Sequence, residues 1–404
     1  MSTLAGSSAA PELCATAHAP REREAGGKGF SFLSSKFREA LSDPVRNARL
    51  MVLAGIVGGG LQVLGGGADI AWHIVIGRDS FFIPPHLVLY SGILLVMLAA
   101  AIGLLTAVAQ PGLRRGGLRS RTAQVWALRP LRAVLLAVAV QLSAGPFDEL
   151  WHRLYGKETS VWSPPHFMLI YGAAASFLAL ATVELRARRL EAPHGAGKLN
   201  SWAFVLLLGL ALTISLATIA ESGFLGIPPT HVSQRRPQLI YPLIALATAI
   251  VAFVPAARLG QGRLGATRVA LVYTGLVLLM VLTVHAVRLG AARPLGPAPL
   301  LVLALALDLA LPWLEHRGWG AYRAAALAAA IAASVYFVIA APYVHFVLGW
   351  RKLSFADGVL GVLLSLPVAA LAGLAGAALA RLLDRLAAVD APSVMFPARG
   401  AGAS

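Results

Sequence analysis

Apolar residues run along the chain in long unbroken stretches bounded by short clusters of Arg, Lys, Gly and Pro. Ten of these reach the roughly 20 residues needed to cross a hydrocarbon core about 30 Å thick: 50–76, 84–109, 130–154, 164–184, 200–221, 238–257, 266–287, 297–314, 321–347 and 356–383. The runs are continuous and rich in Leu and Ala, without the period-two alternation of a membrane barrel, so they predict helices. The expected fold class is all-α, a polytopic integral membrane helical bundle of about ten transmembrane helices. Residues 1–29 are charged and rich in Ser, Ala, Gly and Pro and read as a disordered tail; 30–49 read as an amphipathic surface helix and 391–404 as a second tail. No secretory signal peptide is expected ahead of the first run.

Composition sharpens this pattern. Of 404 residues, 58% are hydrophobic and 13% charged, and mean hydropathy is +0.73, whereas soluble domains carry about 25% charged residues. An ordinary soluble enzyme is excluded. The formal charge of +16 would suggest nucleic acid in a soluble protein, but the location of the basic residues explains it otherwise. Of 34 Lys and Arg, 25 fall in the N-terminal segment to Arg49, in the connections 110–132, 186–198, 258–268 and 317–323, and at the C-terminus; the other connections hold 9. By the positive-inside rule both termini are expected in the cytoplasm of a bacterial inner membrane, with the alternate loops external. No nucleic-acid partner is expected; the lipid bilayer, including anionic lipid, is. The single cysteine, Cys14, rules out a disulfide framework, a thiolate cluster and a CxxC redox site. Any chemistry falls to His and carboxylates.

Those residues are arranged in a repeat. Residues 69–92 read DIAWHIVIGRDSFFIPPHLVLYSG and 148–172 read DELWHRLYGKETSVWSPPHFMLIYG. Both contain Asp-x-x-Trp-His, then three residues and Gly, a basic-acidic-hydroxyl triplet (Arg78-Asp79-Ser80, Lys157-Glu158-Thr159), Pro-Pro-His and a closing Gly. Asp69 and His73 are four apart and share one helix face. Pro84-Pro85 suits the first turn of the next helix, where a missing N–H costs little, and sets His86 at that helix's start. Asp148, His152 and His166 repeat the arrangement. A lone His or Asp at a membrane helix end is ordinarily an interfacial or packing residue. Two copies of one three-residue set point instead to a metal, because ionisable groups at membrane depth face a cavity or one another. Two imidazoles and a carboxylate suit Cu(II), Zn(II) or non-haem Fe(II); the lack of Cys in the motifs, whose one Met is Met168, argues against a Cu(I)-only site.

At these residues the chain resembles the C subunit of the copper-dependent membrane monooxygenases that oxidise methane, ammonia and short hydrocarbons. The likeness lies in Asp69-x3-His73-x12-His86 with its WHxxxxRDSxFxPxH string, and in Asp148-x3-His152-x13-His166, whose spacing is one residue longer, as in that family's second ligand set. The family's second set has Asn where this chain has Asp148, which puts the charge and metal choice there in doubt. The resemblance covers about residues 50–180. A hairpin at 200–257, with Glu221, Pro228-Pro229 and His231 as a degraded echo, would complete a C-subunit-like domain over 50–257; residues 258–390 add membrane helices without a counterpart. The resemblance implies copper (alternatives: iron or zinc) held by Asp69, His73 and His86, and by Asp148, His152 and His166 as a second set. It also implies partner membrane subunits or a homo-oligomer, and O2 with a small apolar substrate or ammonia. Competing readings are a metal transporter or metal-handling protein and a non-catalytic metal-binding protein.

Other polar residues carry weaker signals. Trp72 and Trp151 read as interfacial belt residues. Asp79 and Glu158 are solvated ion-pair partners or second partners of a ligating His, and Glu149 faces the same cavity or the headgroups. His285, Asp308, His316, Tyr343, His345 and Asp357 lack repeated spacing and read as hydrogen-bonded or interfacial. The clusters Gly58–Gly60 and Gly65–Gly67 lack the strand and Lys-Ser/Thr of a phosphate loop and predict close helix approach.

Overall fold

The computed structural model describes residues 43–77, 82–109, 128–156, 161–191, 202–222, 239–260, 262–287, 298–343 and 355–388. Expectations for the N-terminal tail and surface helix to residue 42, Arg78, Asp79, Lys157, Glu158, Pro228-Pro229, His231, His345 and the C-terminal tail lie outside these residues, as do the side chains of Glu221 and Asp357. Ten α-helices occupy the described residues: α1 (Pro44–Val75), α2 (Pro84–Ala109), α3 (Arg129–Tyr155), α4 (Pro164–Glu191), α5 (Trp202–Ser215), α6 (Ile240–Leu259), α7 (Gly265–Ala286), α8 (Ala298–His316), α9 (Ala321–Pro342) and α10 (Phe355–Leu386). Each of the ten predicted runs becomes one helix that is long and apolar enough to cross a membrane. The chain has the architecture of an all-helical multi-pass membrane protein.

The boundaries follow local chemistry. Helix α1 starts six residues before the predicted run because Asp43 caps it, its Oδ1 accepting from the amides of Val45 and Arg46 at 3.1 Å each ahead of Pro44 at the first helical position. Residues 44–49 therefore belong to the first membrane helix, not to a separate surface helix. Gly77 and Gly156, which follow the His of each repeat by four residues, adopt φ of 69° and 80°. That left-handed conformation ends α1 and α3 where a Cβ would be strained. After α5 the chain tightens into a 3-10 segment, Leu216–Ser222, where successive hydroxyls take up helix carbonyls: Ser215 Oγ donates to Ala211 O at 2.7 Å and Thr218 Oγ1 to Ser215 O at 2.8 Å.

Helices α1 and α2 form one hairpin and α3 and α4 a second; α1 also packs on α4, α5 and α7, and α2 on α3. Helices α7–α10 join the same bundle, α7 against α1, α5 and α6, and α10 against α6, α9 and α4. Phe177, Phe204, Tyr241, Phe253, Tyr273 and Tyr336 are the largest fully buried side chains. The glycine clusters serve close approach in part. A Cβ on Gly58 would lie 2.6 Å from the Gly92 carbonyl of α2; one on Gly65 would meet the Leu89 backbone, one on Gly59 Leu210 and Phe177, and one on Gly67 Met280 of α7. Gly60 and Gly66 face no atom within 4 Å.

Candidate metal centre

Both Asp/His/His sets lie at one end of the bundle, where α1 and α3 end and α2 and α4 begin. In the first, the i, i+4 spacing puts Asp69 and His73 on one face of the last turns of α1, a helix end whose carbonyls favour a cation. The second Pro of Pro84-Pro85 leads into His86 in the opening turn of α2. Nε2 of His86 lies 3.1 Å and Nε2 of His73 3.4 Å from the same oxygen, Oδ1 of Asp69. Two ligands each about 2.0–2.1 Å from one ion stand about 3.3 Å apart in a tetrahedral site, so these separations suit a shared ion. All three candidate ligand atoms fall within 4.8 Å of one another. Asp69 Oδ1 is itself buried with the two imidazole nitrogens facing it, a position a cation could share with all three groups. The donor set fits a divalent transition metal. The two imidazoles stand 6.4 Å apart between ring centres, and Tyr90, one turn on from His86, packs beside it at 5.6 Å.

The second set is more open. His152 approaches Asp148 Oδ2 through Nδ1 at 3.7 Å, and His166 approaches Oδ1 through Nε2 at 3.6 Å, so the carboxylate is divided between the two rings. This set is not drawn into a cluster as tight as the first. Two local differences accompany the looser geometry. Pro146 sits inside α3 two residues before Asp148 and removes the amide that would bond the Leu142 carbonyl; the corresponding residue of α1 is Gly67. In addition, Ser163 Oγ lies 3.0 Å from His166 Nδ1, which fixes that ring with Nε2 toward Asp148. Trp162 donates its indole N–H to the Thr218 carbonyl at 2.7 Å, tying the start of α4 to the 3-10 segment.

Several other sequence candidates fall outside both sets. Glu149 is exposed and turned away, accepting from Arg153 Nε at 2.8 Å. Trp72 is half-buried beside Ala68, Ala71 and Val284 at the α1–α7 contact, and Trp151 packs between Phe147 and Tyr155. His285 is exposed. His316 Nδ1 lies 2.6 Å from the Pro312 carbonyl. Asp308 of α8 caps α7, accepting from the Ala266 and Thr267 amides at 3.0 and 2.8 Å and from Thr267 Oγ1 at 2.8 Å. The last two confirm hydrogen-bonded roles.

One pair of residues escaped sequence reasoning. Gln62 of α1 and Gln141 of α3, 1% and 2% exposed, meet inside the bundle, and Gln141 Nε2 donates to Gln62 Oε1 at 2.6 Å. Each lies seven residues, or two helical turns, before the Asp of its set, and each packs against the Gly that closes its repeat: Gly92 against Gln62 and Gly172 against Gln141. The signal was present in the sequence. Extending the repeat alignment seven residues upstream recovers a shared Gln.

Comparison with protein-family models, with curated proteins and with solved structures gives no match for this chain.

Proposed function

We propose that this chain is a metal-binding integral membrane subunit that holds copper at Asp69, His73 and His86, with Asp148, His152 and His166 as a second set. In this reading it works with other membrane subunits, or as a homo-oligomer, in a monooxygenase-like complex that oxidises a small apolar substrate or ammonia with O2. The single observation that carries the reading is the convergence of both Nε2 atoms on Asp69 Oδ1 at 3.1 and 3.4 Å. The two unequal ligand spacings shared with the monooxygenase C subunit support copper and the reaction class. The asymmetric distribution of basic residues supports cytoplasmic termini and external sets.

Bound copper would supply O2 activation. The chain's own residues do the rest: Asp69 sets a negative charge between two imidazoles, and the ends of α1 and α2 hold all three groups beside the bilayer, into which O2 and an apolar substrate both partition. A transporter reading has less support, because transport sites lie near the membrane midplane on broken helices and both sets here sit at helix ends. The test is O2 uptake by membranes carrying the chain with its genomic neighbours. Uptake that requires copper and substrate, and that is lost in His73→Ala and His86→Ala, is expected. Uptake unchanged in both variants would sink the proposal.

A further inference from the structure

The end of the bundle opposite the Asp/His/His sets gathers arginines, and several have evident partners. Arg49 pairs with Glu191 at 2.7 Å, Arg258 with Glu315 at 2.8 Å and Arg189 with Asp384. Arg188, near the end of α4, differs. Its side chain is 6% exposed, and Nε donates to Glu184 Oε1 one turn back at 2.8 Å. Nη1 and Nη2 are both closed off from solvent and donate to no group among the described residues. A guanidinium directs its donors in a fixed planar fork, so the group engages a carboxylate at one edge while its remaining donors stand unanswered in buried surroundings. Buried donors of this kind are almost always matched.

What surrounds that fork is suited to an anion. The Arg188 Cζ lies 5.7 Å from the ring of Phe204, in the first turn of α5. Helix α5 begins here with no acidic residue in its opening turn, and its first amides have no acceptor within the helix. Across the same turn, Arg268 of α7 places its Cζ 5.7 Å from the ring of Trp202. Two guanidinium groups from different helices thus flank one helix N-terminus, with Trp202 and Phe204 between them. The nearby carboxylate, Glu184, is engaged by Arg188 Nε.

We infer that this helix end binds a phosphate group, held by the Arg188 fork, by Arg268 and by the opening amides of α5. Two sources present that chemistry at a helix end: the headgroup of an anionic phospholipid and free phosphate. The site is separate from the Asp/His/His sets and does not rest on their function.

The test uses the full chain, delipidated and placed in phosphatidylcholine nanodiscs, with thermal unfolding followed while phosphatidylglycerol or inorganic phosphate is titrated in. A saturable rise in midpoint with phosphatidylglycerol alone assigns a lipid headgroup, and a rise with inorganic phosphate assigns the free ion. Arg188→Gln is expected to weaken the response about tenfold, whereas Glu184→Gln, which breaks the ion pair and leaves the fork, retains it. If Arg188→Gln does not fold, Arg268→Gln replaces it and is expected to weaken the same response. No response of the unmodified protein to either titrant overturns the inference, as does an unchanged response in the arginine variant.

Discussion

Replacing Gln62 and Gln141 with Leu, singly and together, tests how the two hairpins are held in register. The structure fixes the sign. The pair makes one hydrogen bond of 2.6 Å, while Gln62 Nε2 and Gln141 Oε1 are buried without partners. Either single substitution removes the bond and strands both ends of the remaining amide. Leaving buried polar groups unmatched costs about 1–3 kcal/mol, and interhelical hydrogen bonds in membrane proteins contribute roughly 0.6–1.7 kcal/mol. Each single variant should therefore lose about 1–2 kcal/mol. The double variant removes the bond, both amides and their two unmatched atoms, and replaces them with apolar side chains, so it should return to within about 0.5 kcal/mol of the starting protein. The predicted coupling energy is about 2 kcal/mol or more. Reversible unfolding in mixed detergent and SDS micelles reads all four corners of the cycle. Neutral single variants, or a double variant whose loss is the sum of the two, would refute the reasoning.

Three further outcomes follow from particular contacts. Gly92→Val puts a side chain into the Gly58 carbonyl and Gln62 and should cost about 2 kcal/mol or more in the same unfolding assay, whereas Gly60→Ala, facing open space, should be tolerated or slightly stabilising. Asp308→Ala removes three hydrogen bonds from the start of α7 and should destabilise by about 2 kcal/mol; thermal unfolding checks it, with Asp308→Asn expected to lose less. Ser163→Ala takes away the partner of His166 Nδ1 and should weaken metal binding at the second set about tenfold without changing the first, read by copper titration in a His73→Ala, His86→Ala background.

The helices were legible because hydrophobic run length is a local property, and each of the ten runs became one helix. Their starts were less so: α1 begins six residues early because a cap at Asp43 and Pro44 outweighs the weak hydrophobicity of residues 44–49. The first Asp/His/His set was legible from the i, i+4 spacing and the Pro-Pro-His start of the next helix, both governed by helix geometry. That the second set opens wider was not, since it depends on where each ring turns, and Ser163 and Pro146 bear on that only once α3 and α4 are packed. Gln62 and Gln141 stand alone in apolar runs and gain meaning only when α1 and α3 bring them together. Arg188 reads in sequence as one of many orientation-setting charges. Its burial comes from the packing of α4 against α5, which run length does not disclose.

The central claim is that Asp69, His73 and His86 form a metal site. Its most direct test is to load the purified chain in lipid with Cu(II), remove excess ion, and measure bound copper together with its EPR spectrum. The account predicts tightly held copper with nitrogen ligation that is diminished in His73→Ala, His86→Ala and Asp69→Ala. No retained copper, or a spectrum and stoichiometry indifferent to all three substitutions, would contradict it.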